Sequence, residues 1–295
     1  MYIKMPKRVN EMIGKGVQQL MLGKIIKSEE QAARTLETVR FSGYDGIELN
    51  GFMIRKTSLC VRALTAAAGM PAGRGGDYDW ATLTRNAGLH VISLHEDLGT
   101  LQEKTQQVIE TAHKLQTNNI VITGMYRFDY TDEKTLSGLC DALNQYGKCL
   151  REEGLSLLYH NHNAELCRVG DTSKRAYTYL MHHTDPAYLN FEFDSYWFTE
   201  AGANAAKWME LLGTRMRLWH INDRGNRQKG ACMTPILKSD SMELGSGNMD
   251  LDGLTAAAKR NNIEAVILES HRNHIDDDPI KSLQRSAAYL NRNFS

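Results

Sequence analysis

The sequence has no excess charge of either sign: its 295 residues hold 35 basic and 35 acidic side chains. A neutral balance supplies no long-range field to draw nucleic acid or an anionic membrane surface, so neither is expected as a partner, although a local basic patch stays open. No stretch approaches the ~18 consecutive apolar residues of a membrane span. The opening MYIKMPKRVNEM lacks the apolar core of a secretory signal, and the expectation is a cytoplasmic protein. The cysteines, Cys60, Cys140, Cys149, Cys167 and Cys232, are odd in number, widely spaced and without a CxxC pair. That argues against a disulfide framework or a zinc knuckle and for reduced packing thiols. No Pro/Ser-rich linker and no low-complexity tract interrupts the chain, so one domain over residues 1–295 is expected. No GxGxxG follows the first β-rich run, which disfavours a dinucleotide-binding sheet. No glycine-rich phosphate cradle stands out either, since GSGN at 245–248 is too short.

What is present is alternation. Short β-rich runs fall at 16–22, 46–51, 90–98, 118–125, 155–162, 188–197, 216–224 and 265–270. Helical patterns separate them. Leu101, Thr105, Val108, Ala112 and Leu115 recur three and four apart, as do Leu136, Leu139, Leu143, Tyr146 and Leu150, which is the spacing of one buried helix face. Gly43, Gly88, Gly154 and Gly213 each stand near the end of a helical pattern, where a left-handed cap favours glycine. Eight strands alternating with helices predict parallel βαβ units closed into a (β/α)8 barrel, the TIM-barrel architecture. Residues 69–79 and 225–249 exceed ordinary loops and are expected to shape a substrate pocket.

The polar residues inside these runs carry the chemistry. Alternate side chains of a strand share a face. In YLNFEFDSYW, Leu189, Phe191 and Phe193 share one face, and Asn190, Glu192 and Asp194 the other. The apolar face suits the outer helices, so the acidic face points into the barrel, where branched apolar side chains are the norm. Two inward carboxylates are costly unless a cation or a hydrogen-bond network satisfies them. The anomaly recurs on three other late strands. His160 and His162 share a face at the end of LSLLYHNH. His220 ends the apolar run of MRLWHINDR, with Asp223 and Arg224 following. Glu269 closes AVILES, with His271 just beyond. Each residue alone has a structural explanation, but four consecutive strands ending in His, Asp or Glu at one level point to a metal. A mixed N/O donor set suits Mn²⁺, Mg²⁺, Co²⁺ or Zn²⁺, and one divalent ion, Mn²⁺ first, is the expected cofactor.

With YHNHNAEL, FEFDSYW, WHINDRG, ELGSGNMDL and VILES in this order, the sequence resembles the sugar phosphate isomerase/epimerase superfamily, the xylose isomerase-like TIM barrels, from GYDGIELNG to AVILES. That group includes ketose 3-epimerases, inosose dehydratases and, more distantly, apurinic-site endonucleases. The resemblance implies a metal held by His160, Asp194, His220 and Glu269, with Glu269 and His160 catalytic. It implies substrate contacts at His162, Glu165, His95, Trp197, Arg224 and Glu48. The pattern departs from the epimerases at His160, where they carry glutamate. The YHNH variant is closer to the inosose dehydratase and keto-glycoside-cleaving branches, and His162 stays open as the alternative ligand. The implied function is that of a metal-dependent isomerase or epimerase taking a proton next to the carbonyl of a keto-sugar. The alternatives are a lyase (an inosose-type dehydratase, or β-elimination of a 3-keto-glycoside including a C-glycoside deglycosidase subunit), a non-catalytic sugar-binding subunit and an apurinic-site endonuclease. A homo-oligomer is expected, with a hetero-oligomer open.

Overall fold

The computed structural model describes residues 12–56, 75–228, 230–270 and 272–294. Seven parallel strands follow one another: β1 (Gly14–Gln18), β2 (Gly46–Asn50), β3 (His90–Glu96), β4 (Asn119–Thr123), β5 (Ser156–His160), β6 (Leu189–Asp194) and β7 (Met216–Ile221). An antiparallel pair, β8 (Asp223–Gly225) and β9 (Asp240–Met242), interrupts the series before β10 (Ala265–Leu268). β10 pairs with both β7 and β1, so the eight parallel strands close a barrel. Among the described residues no helix is long and apolar enough to cross a membrane.

Two apolar layers follow from the two-residue period of the strands. Outward side chains meet the helices: Phe191 and Phe193 pack with Tyr177 and Phe198. Inside, Val121, Leu158, Leu218, Ala265 and Ile267 form a separate apolar plug, with Ile92 against it. One step of two residues toward the strand C-termini the interior turns polar: Leu158 gives way to His160, Leu218 to His220 and Ile267 to Glu269. The parallel register holds these groups close, pairing His160 with Glu192 and Asp194 with His220.

The strand runs read from the sequence are shorter in the structure, and local hydrogen bonding explains why. Gln19–Leu22 is a 3-10 turn, because the Gln18 side chain accepts from the Leu20 N–H at 2.7 Å. β6 stops at Asp194, whose carboxylate accepts the Trp197 N–H at 3.1 Å and caps the helix Ser195–Glu200. Trp197 is therefore helical, and His162 lies in the loop beyond β5. The face from Leu101 to Leu115 is split at Lys104, where φ is −136°. Gly43, Gly88 and Gly154 carry the expected positive φ, at +96°, +70° and +76°, whereas Gly213, at φ +52° and ψ −133°, lies outside the left-handed helical region. Of the cysteines, Cys140, Cys149, Cys167 and Cys232 are free thiols, and Cys60 lies outside the described residues.

Of the two long insertions, residues 69–74 lie outside the described residues. The other is anchored by Asp223, whose carboxylate accepts from the N–H groups of Gly245, Gly247 and Met249 at 2.8–3.1 Å. Asp223 thus belongs to the loop's scaffold. The insertion is also tied to the segment after β10: Arg272 pairs with Asp240 at 2.6 Å, and Asn273 donates to the Ser241 carbonyl at 2.7 Å.

One helix contact sets a sharp size limit. Gly147, within the helix Glu133–Glu152, lies so close to the Tyr188 carbonyl that an added Cβ would stand 2.3 Å from the oxygen. Gly147→Ala should therefore destabilise the chain by about 1–3 kcal/mol despite alanine's better helix propensity. A denaturation midpoint at or above that of the unmodified chain would contradict this close approach.

Candidate metal centre

The C-terminal mouth of the barrel gathers His160 from β5, Asp194 from β6, His220 from β7 and Glu269 just past β10. Each offers a ligand atom, and these four atoms lie within 4.8 Å of one another. All four side chains are buried. Asn161 holds the Asp194 backbone from both sides, accepting its N–H and donating to its carbonyl at 3.0 Å each. Glu269 accepts from His220 Nδ1 at 2.7 Å.

The electrostatics of this set call for a positive charge. Burial and the facing Glu269 carboxylate hold the Asp194 carboxyl well above its usual range. Burial lowers the His160 imidazole below its ordinary value, which leaves it a neutral donor. Two carboxylates and two imidazoles fit a divalent ion of the N/O-binding kind. The second imidazole is oriented by a further carboxylate, as metal-binding histidines commonly are. His220 Nε2 lies 2.8 Å from Glu48 Oε1.

Beneath this set lies a layer that the sequence marks only in part. Glu192 reaches His95 at 2.7 Å, His220 at 3.2 Å and His160 at 3.3 Å. Glu48 reaches His95 at 2.9 Å and accepts from the Ser93 hydroxyl at 2.5 Å. Burial opposes charge on His95, His220 and Glu192, but the pairing outweighs it. Glu48 and Glu192 bring His95 up to about 10, Glu192, Glu48 and Glu269 hold His220 well above its ordinary value, and His220 and His95 hold Glu192 well below its own.

A small pocket with room of about 30 Å³ opens on the upper cluster, lined by Asp194, Tyr196, Trp197, Asn222, Ser241, Glu269 and Arg272. The structure thus brings Asp194, Glu269 and Trp197 to one cavity, with His160 and His220 directly behind. His162 stands beside it, its ring 5.0 Å from His160 and 5.5 Å from Trp197, and takes part in neither donor cluster. Four other expected substrate contacts are placed differently. Glu48 and His95 do not end their strands at the mouth; their side chains turn to Glu192 and His220 in the barrel interior. Glu165 is buried, accepting from the Tyr159 hydroxyl at 2.8 Å and the His162 N–H at 3.0 Å, so it fixes the His162 backbone. Arg224 pairs with Glu200, and the arginine that lines the pocket is Arg272. His271 lies outside the described residues.

Asn222, Ser241, Tyr196 and Arg272 were not read as site residues from the sequence. Ser241 and Arg272 lie in the insertion and beyond β10, and Asn222 and Tyr196 stand just past the ends of β7 and β6, so the alternation of the barrel strands does not mark their direction. Glu192 had its signal, the inward acidic face of FEFD, but no partner to assign it.

Fold and site together define a (β/α)8 barrel protein with a buried His/Asp/Glu cluster where the strands end. The chain belongs to the Xylose isomerase-like TIM barrel family, whose model matches residues 36–293. Among curated relatives, an inosose dehydratase from Clostridium perfringens is 23% identical over 207 residues, spanning 66% of this chain and 67% of that one. Among solved structures, a sugar phosphate isomerase/epimerase from Parabacteroides distasonis superposes with a TM-score of 0.75 at 20% identity, covering 97% of this chain and 95% of that one. An IolI protein with a bound zinc atom has a TM-score of 0.66 at 15% identity, over 96% and 98% of the two chains.

Proposed function

We propose that this protein is a divalent-metal-dependent enzyme that removes a proton next to the carbonyl of a keto-sugar or keto-polyol, giving isomerisation or epimerisation. The observation that carries this reading is the convergence of four donors from four successive barrel strands within 4.8 Å, at a pocket whose wall includes Asn222, Ser241 and Arg272. His160, Asp194, His220 and Glu269 would hold the ion, which when bound supplies Lewis-acid polarisation of a neighbouring carbonyl.

The chain's own groups do the rest. Glu269 lines the pocket and is the base for the carbon-bound proton. His162, edge-to-face with His160, supplies the second acid–base group. Trp197 offers an apolar wall to a sugar face, and Asn222, Ser241 and Arg272 meet its hydroxyl and carbonyl oxygens. When the carbon next to the one that loses the proton bears a leaving group, the same step ends in β-elimination. The relatives named inosose dehydratase favour that second reading.

The test is solvent deuterium exchange at carbon, followed by NMR, with the metal-loaded protein and a panel of keto-sugars, inososes and 3-keto-glycosides. Exchange, with or without net product, is expected for at least one class. Failure to exchange any of them, with metal bound, would remove this reading.

A simpler measurement checks the ion itself. A ligand that binds only the folded state stabilises it by about 4 kcal/mol at a thousandfold excess over its dissociation constant. EDTA treatment should therefore lower the melting temperature, and adding back Mn²⁺ or Zn²⁺ should restore it. An unchanged melt through both steps would count against a resident ion.

A further inference from the structure

We propose that the barrel interior holds a second divalent-cation site, formed by His95, Glu48, Glu192 and His220 with His160 as a fifth donor, beneath the centre described above. It shares His160 and His220 with that centre but does not depend on an ion being bound there.

The central four atoms alternate nitrogen and oxygen around a ring. His95 Nε2 lies 2.9 Å from Glu48 Oε1 and 2.7 Å from Glu192 Oε2, and His220 Nε2 lies 2.8 Å and 3.2 Å from the same two oxygens. Hydrogen bonding alone leaves this ring incompletely satisfied. Each Nε2 carries at most one hydrogen, yet each faces two carboxylate oxygens. Two further atoms have no hydrogen-bond partner at all. His160 Nδ1 points at Glu192 Oε2 from 3.3 Å, and Glu192 Oε1 is unsatisfied although the side chain is fully enclosed. Unsatisfied polar atoms this deep are rare and call for a specific cause.

A cation in the ring satisfies the four ring atoms and His160 Nδ1 together. Neighbouring donors bound at about 2.1 Å, with angles between about 80° and 109°, stand about 2.7–3.4 Å apart. The four observed edges fall in that span. The charge also matches, because two carboxylates neutralise one divalent ion in a place that water does not reach. Imidazole and carboxylate donors together select Zn²⁺, Mn²⁺ or Co²⁺ over Ca²⁺. His220 presents Nδ1 to Glu269 and Nε2 to this ring, so a single imidazole stands between the two centres.

The experiment is metal stoichiometry of the full-length chain, loaded separately with Zn²⁺ and Mn²⁺, desalted and measured by mass spectrometry. About two equivalents are expected in the unmodified chain, and about one in either His95→Gln or Asp194→Asn, because each variant removes a donor unique to one site. Anomalous diffraction at the zinc edge gives a readout that needs no variant to fold: a peak between His95 Nε2 and His220 Nε2 is expected. An interior without anomalous density, or a folded His95→Gln that keeps every ion of the unmodified chain, overturns the proposal. An Asp194→Asn protein that loses no metal would instead sink the upper centre and leave the interior site standing.

Discussion

Asp194→Asn is expected to lose the ion of the upper centre and to lower kcat/KM by at least about 10²-fold while the barrel stays folded. The choice of asparagine separates two jobs of one side chain. Asp194 caps the helix Ser195–Glu200 through the Trp197 N–H, and its backbone is gripped by Asn161. Alanine would remove the cap, a loss of about 1 kcal/mol that could be mistaken for a site effect. Asparagine keeps an acceptor for the cap and removes only the charge. The charge is the part the fold does not need: burial and the Glu269 carboxylate disfavour it more than His220 and the helix N–H groups favour it, and a bound cation would repay the difference. The same variant should therefore melt at or above the temperature of the metal-free unmodified chain. Metal content and melting together check this; retained metal with full activity would dispose of Asp194 as a ligand.

Glu192→Ala is expected to produce the largest loss of stability of any single change in the barrel interior, about 3–5 kcal/mol, because it removes the shared partner of buried imidazoles. His95, His160 and His220 all point at this carboxylate from 2.7–3.3 Å. Without it, His95 and His220 keep Glu48 as their remaining carboxylate in the ring, and a cavity opens in the centre of the layer. The sign with pH follows from the pairing. Glu192 is held well below its usual range in the folded chain, so its contribution is present above the ordinary carboxylate pKa and fades as pH falls through the lowered value. The difference between the two proteins in urea should accordingly be large at neutral pH. A shift of the midpoint worth less than about 1 kcal/mol would show that the carboxylate is dispensable to the fold.

Much of this was legible from residues alone, and for one reason. A strand alternates its side chains with a period of two, so FEFD fixes Glu192 and Asp194 on one face and Phe191 and Phe193 on the other before any tertiary contact exists. Leu158–His160, Leu218–His220 and Ile267–Glu269 each encode the same switch from apolar plug to polar layer. The long apolar periodicities gave the helices for the same local reason. Local signals failed at the strand ends: Trp197 reads as strand by composition, and only the Asp194 cap turns it into a helix.

The sequence by itself therefore determined the barrel's alternation of elements, which side chains point inward, and that a donor layer ends the late strands. It could not determine which inward residues share a height, because that depends on the stagger at which the sheet closes, a non-local quantity. Tertiary structure alone brought Glu48 to His220 across 172 residues of chain and His95 to Glu192 across 97. It moved Glu48, His95 and Glu165 from expected substrate contacts to interior partners, and it put Asn222, Ser241 and Arg272 into the pocket wall. Those last positions lie outside the eight barrel strands, so only the folded path of the connections can aim them.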